Sequence, residues 1–144
     1  MPKSPFSKVL CSKESLKEWL LFDLKNIGIS ISNEELEIKP YSSSCYGRYN
    51  VNKGKIIVYM YSDKECTTPY PYAELMETTI HEAVHYIQHH DPNFVRFKGV
   101  MHNAEFYHLY NEYSKTFNTI WLSRKLRRNM SERKKIKNVR VGQP

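Results

Sequence analysis

Two histidines four residues apart, His81 and His85, sit inside a segment whose apolar residues repeat with a helical period. Met76, Ile80, Ala83, Val84 and Ile87 form one stripe, which predicts a helix from about Tyr72 to His89. At about 100° per residue, both imidazoles point roughly 100–140° away from that stripe. One face of this helix must therefore pack on a core while the other faces a cleft. Pro69 and Pro71 mark its beginning. Asp91-Pro92-Asn93 ends it, because proline disfavours helix at the residue before it.

Elements of two kinds flank this segment. Leu16, Trp19, Leu20, Leu24 and Ile27 fall at offsets 0, 3, 4, 8 and 11, one face of a helix over residues 12–27. Ser12 is its candidate N-cap, and Gly28 stands where a left-handed C-terminal residue would. Residues 29–61 lose that period. Tyr46 to Val51 and Lys55 to Tyr61 are rich in Tyr, Val and Ile, and Asn52-Lys53-Gly54 between them is a turn. A hairpin is predicted from about 46 to 61, with an earlier strand near 36–40. Ile56-Ile57-Val58 is expected to be its best-buried part, and residues 55–61 could offer an edge to an extended peptide. Asn103 can cap a third helix, in which Phe106, Leu109, Tyr110, Tyr113, Phe117 and Ile120 keep the strongest helical period of the chain. The order helix, two or three strands, helix, helix predicts a small α+β domain with an antiparallel-dominated sheet of about three strands.

The 144 residues suit one domain, expected over residues 12–122 after an extension of residues 1–11. Net charge is +7 and unevenly placed. Residues 121–144 carry nine Lys or Arg and one Glu, whereas the first 120 residues carry thirteen basic and fourteen acidic side chains. Beyond Trp121 the apolar period dissolves, so residues 123–144 read as a flexible basic tail. Arg124, Lys125, Arg127, Arg128, Arg133, Lys134, Lys135 and Lys137 are its candidate contacts to DNA or RNA. Such side chains neutralise phosphates without reading base sequence. Deleting residues 123–144 is then expected to abolish salt-sensitive binding. Cys11, Cys45 and Cys66 are widely spaced and form no Cys-x-x-Cys pair, which fits free thiols in a reducing compartment. No apolar run approaches a membrane span, and Met1 to Pro5 lead into no apolar signal core. The expectation is an intracellular protein with no membrane partner.

His81-Glu82-Ala83-Val84-His85 has the His-Glu-x-x-His pattern. Residues four apart on a helix share a face, so two imidazoles can converge on one Zn²⁺. Glu82 between them lies beside the metal without ligating it and can act as general base towards a water. Catalytic zinc commonly takes three protein ligands. Asp91 is ten residues after His81, the spacing of one compact protease class, but that class needs glycine where Gln88 stands. Glu105 lies twenty residues after His85 and His102 seventeen after it. His89 and His90 suit the end of a helix, and the position of His108 decides nothing. Arg48, Tyr46 and the other tyrosines are possible stabilisers of a developing oxyanion, and no spacing selects one.

His81 to His85, a connector of sixteen residues, then His102-Asn103-Ala104-Glu105-Phe106 resembles the SprT-like (Spartan-type) zinc metalloprotease domain family over roughly residues 12–120. The resemblance implies a zincin-like fold, with His81, His85 and His102 as zinc ligands, Glu82 as general base and Phe106 as a packing residue. It implies a protein or peptide substrate, which in this family includes DNA-bound proteins. Asn103 stands where the family usually has glycine, and the cysteine-rich ribbon that often follows the domain is absent. Two further readings stand beside the peptidase. One is a nucleic-acid-binding module with a structural or catalytically silent zinc site, and the other is a zinc hydrolase of non-peptide amides.

Overall fold

The computed structural model describes residues 12–92 and 102–141. The proposed extension of residues 1–11 and the connector from 93 to Met101 lie outside the described residues. Helix α1 spans Lys13–Asn26 and begins where Ser12 Oγ accepts a hydrogen bond from the Ser15 N–H at 3.0 Å. It ends at Gly28, whose φ of +97° lets the Ile29 N–H return to the Leu24 carbonyl at 2.8 Å. Strands β1 (Leu36–Lys39), β2 (Gly47–Asn50) and β3 (Lys55–Tyr59) follow. Helix α2 is Tyr72–His90 and helix α3 is Ala104–Val141.

The domain is α+β, with a mixed sheet in the order β1-β3-β2. The hairpin is present: β2 pairs antiparallel with β3, Tyr49 opposite Ile56, and Gly54 turns the chain at φ +65°. β1, however, pairs parallel with β3, Leu36 opposite Ile56 and Ile38 opposite Val58. The sheet is thus not antiparallel-dominated. A hairpin turn is encoded in a few adjacent residues, whereas the second neighbour of β3 is chosen by which apolar faces fit together. This order also corrects the expected peptide edge. β3 is the central strand, flanked on both sides, and Ile56, Ile57, Val58, Tyr59 and Met60 are all buried. The free edges of this sheet belong to β1 and β2.

Helix α2 lays Met76, Ile80, Ala83 and Val84 into the core against β3 and β2, while α1 covers β1 with Leu16, Leu20 and Leu24. Gly47 permits the close seating of α2. A Cβ there would stand 2.7 Å from Thr78 Cγ2 and 2.8 Å from the Ile57 carbonyl oxygen. Among the described residues no helix is long and apolar enough to cross a membrane.

Helix α3 departs most from expectation. It does not end near Trp121 but runs unbroken from Ala104 to Val141, 38 residues in all and about 57 Å at 1.5 Å per residue. The segment contains no Gly or Pro before Gly142 and is rich in Leu, Arg, Lys, Met and Glu, which lose little side-chain freedom in a helix. Arg128 and Glu132 add an i,i+4 pair at 3.3 Å. A long-range ion pair anchors the extension. The Arg124 guanidinium meets both carboxylate oxygens of Asp23, which is 1% exposed, and lies 5.4 Å from the centre of the Trp19 ring. The Tyr72 hydroxyl donates to the same carboxylate. Burial and that negative charge push the Tyr72 phenol well above its usual range. Arg124 is thus half-buried and its guanidinium is engaged by Asp23, unlike the exposed basic residues that follow it. Deleting residues 123–144 would remove this partner of Asp23 along with the basic charges.

Breaking a buried pair from one side leaves the other charge uncompensated, which costs about 3–5 kcal/mol. Arg124→Ala is expected to lower unfolding stability by that order in urea denaturation. The double replacement of Asp23 and Arg124 by leucine should cost less than Arg124→Ala alone. A loss under about 1 kcal/mol for Arg124→Ala would mean that the pair is solvated and does not anchor the helix.

Candidate metal centre

Helix α2 presents His81 and His85 one turn apart, and His102 stands two residues before α3 begins. The Nε2 atoms of His81 and His102 are 3.2 Å apart, and those of His85 and His102 are 3.1 Å apart. The three side chains offer ligand atoms that all lie within 4.8 Å of one another, and so could hold a metal ion. Tetrahedral ligands 2.0–2.1 Å from one ion lie about 3.3–3.4 Å from each other. The arrangement is thus close to what a single small cation would require. Among the described residues, neither Asp91 nor Glu105 joins this group. His102, itself exposed, is the third partner that the fold brings in.

Local structure explains the convergence. Asn103 caps α3 through its Oδ1, which accepts the Phe106 N–H at 2.9 Å, as the sequence indicated. This turn sets His102 over α2 and drives Phe106 inward. Phe106 is completely buried, and its ring centre lies 4.9, 4.6 and 4.8 Å from the rings of His81, His85 and His102. It forms the floor beneath all three imidazoles. Burial and the neighbouring imidazoles lower the pKa of His81, and lower that of His85 to about 4. At neutral pH both rings are neutral, the form that can ligate a metal.

Glu82 comes within 3.8 Å of the His81 Nε2 without joining the ligand group. It is 7% exposed, and burial raises its carboxyl from 4.5 up to about 7. Both Glu82 and His81 open into a cleft of about 570 Å³. Cys45, Tyr46 and Gly47 lie on the sheet side of the cleft, and Glu77 and Tyr110 on the helical side. The Tyr110 hydroxyl donates to Glu77 Oε1 at 2.8 Å, and its ring stacks on Phe106. Tyr46 therefore reaches the cleft, whereas Arg48 is exposed and is not part of its lining. His89, His90 and His108 are exposed and stand outside the ligand group. His90 packs on Tyr86 and reaches its carbonyl through Nδ1 at 2.9 Å. Cys45 and Cys66 are free thiols, and Cys11 lies outside the described residues.

No signal in the sequence selects Gly47, Glu77 or the Tyr110 hydroxyl. Tyr110 reads as a member of an apolar stripe and as one of several tyrosines among which no spacing selects, and Gly47 as a strand residue. Among the basic candidates, Lys125, Arg127, Arg128, Arg133 and Lys134 are exposed on the extension of α3. The side chains of Lys135 and Lys137 lie outside the described residues. Searches against family models, curated proteins and solved structures return no match.

Raising a carboxyl pKa on folding makes its stabilising contribution complete below the unfolded value and lost as pH rises through the folded one. For Glu82 in the metal-free protein the window runs from about 4.5 to about 7. Between pH 4.5 and 8, metal-free Glu82→Gln should gain on the order of 2–3 kcal/mol relative to wild type. The histidine contributions are common to both proteins and cancel in the difference. Parallel urea denaturation curves in chelator, with no change in the difference across this range, would contradict the burial of Glu82 as a charge. A bound cation favours the ionised carboxylate and should shrink the effect.

Proposed function

We propose that this chain is a zinc-dependent peptidase of the SprT-like, zincin-like kind. The observation that carries the reading is the set of three converging imidazoles with one buried carboxylate beside it and a cleft in front. His81, His85 and His102 would hold the ion, and their neutral nitrogen donors suit zinc. When bound, zinc supplies Lewis acidity toward a water and the scissile carbonyl.

The remaining work falls to this chain's own groups. Glu82 takes the proton of the attacking water and passes it to the leaving amine. Phe106 keeps the three imidazoles in register, so little reorganisation accompanies substrate binding. An extended peptide can lie along β2, whose first residue Gly47 lines the cleft, with backbone hydrogen bonds holding it at the sheet edge. Lys125, Arg127, Arg128, Arg133 and Lys134 give the extension of α3 a field that attracts nucleic acid, which would bring the peptidase to proteins bound there.

A purely structural zinc site usually closes with four protein ligands. Three such side chains form the group among the described residues, beside an open cleft, which favours the hydrolytic reading over a binding module with a silent ion. Glu82→Gln separates the two. It should retain the bound metal and the fold while lowering hydrolysis of an unfolded protein substrate by at least 10²–10⁴, the range expected for a lost general base. Unchanged hydrolysis in the zinc-loaded variant would show that Glu82 is not the base.

A further inference from the structure

A second cavity, of about 430 Å³, lies at the opposite end of α2 from the histidine that ends it. Its α3 wall is made by Trp121, Lys125, Arg128 and Asn129, spaced so that one face of the helix presents them together. Its α2 wall is Pro71, Tyr72 and Ala73. Lys125 and Arg128 are exposed, and Arg128 also pairs with Glu132 at 3.3 Å. Pro71 has no N–H, and no side chain caps this helix. The Glu74 and Leu75 N–H groups turn back to the Pro71 carbonyl, whereas those of Tyr72 and Ala73 precede any intrahelical acceptor. The concavity thus combines two cationic side chains, an amide side chain and the positive end of a helix dipole.

We propose that this cavity binds a phosphate group of a nucleic-acid backbone. Lys125 and Arg128 supply charge and hydrogen bonds, Asn129 a further amide donor, and Trp121 an apolar wall. A phosphodiester polymer fits better than a free phosphate because the positive charge does not stop at the cavity. Arg133 and Lys134 continue it along α3, about 8–9 Å beyond Arg128. Ala73 lies about 12 Å along α2 from His81, and the charge at Arg133 and Lys134 continues away from the metal centre, so a strand held here reaches the site from its far end. This deepens the nucleic-acid part of the proposed function and does not depend on hydrolysis.

The test uses the full chain as zinc-loaded Glu82→Gln and a labelled oligonucleotide followed by fluorescence anisotropy across a salt series. Lys125→Ala with Arg128→Ala should weaken binding at least tenfold and lower the slope of log K against log salt by about 2. Arg133→Ala with Lys134→Ala removes the same charge outside the cavity and should weaken binding measurably but by less than the cavity pair does. Equal losses for the two pairs would overturn the cavity and leave only a diffuse basic helix. Inorganic phosphate, titrated at constant ionic strength against tryptophan fluorescence, distinguishes the source. If the cavity pair abolishes that response but leaves oligonucleotide affinity intact, the ligand is a free phosphate and the nucleic-acid assignment fails. No binding of either probe to the unsubstituted cavity overturns the proposal altogether. None of these outcomes bears on the peptidase reading, which is judged by hydrolysis alone.

Discussion

The burial of one phenyl ring holds the centre together. Phe106 is the point at which α3 meets α2, and its ring touches the imidazoles of His81, His85 and His102 at once. Two of those histidines are placed by the pitch of a single helix, but the third arrives from the other side of a long connector. Its position is therefore a tertiary fact, set by the Asn103 cap and by the gain from removing Phe106 from water, about 2–3 kcal/mol for a fully buried phenylalanine.

The long helix serves two ends. Its first turns carry the floor of the metal centre and its last turns carry the positive charge, with Arg124 between them fastened to Asp23. Because the Asp23 carboxylate is buried and shared by Tyr72 and Arg124, it ties the start of α2 and the extension of α3 to α1. The charge that reads as an appendage lies on a continuous helix. A polyanion meeting it encounters a defined surface next to the first turn of the helix that carries His81 and His85.

Local signals were legible in the sequence and nonlocal ones were not. Ser12, Gly28, Gly54 and Asn103 each act through neighbours a few residues away, and each stands where its chemistry placed it. The α+β class and the His81-His85 pair were also readable, the latter from a helix repeat and a four-residue spacing, whereas spacing alone left His102 beside Asp91 and Glu105 and only the family resemblance singled it out. The parallel pairing of β1 with β3 was not, since strand neighbours are settled by the packing of whole faces. The continuation of α3 was missed because the fading of an apolar stripe was taken as the end of a helix. A stripe reports burial, whereas the helix persists on propensity and on one anchor 101 residues away in sequence. A clue existed: Asp23 sits four residues after Trp19 and three after Leu20, on an otherwise apolar face, where a charge needs a partner. Gly47 gave no sign, since only the approach of Thr78 makes glycine necessary there.

The account rests on a single ion held by three specific histidines, and elemental analysis of the purified chain tests it most directly. Zinc should be present at about one per chain in wild type, in Glu105→Ala and in Asp91→Ala, and should be lost on His102→Ala, as a three-ligand site requires. Zinc retained by His102→Ala and lost from Glu105→Ala or Asp91→Ala would place the third ligand elsewhere and contradict the geometry described. No zinc in any of the four proteins after reconstitution would remove the metal centre itself.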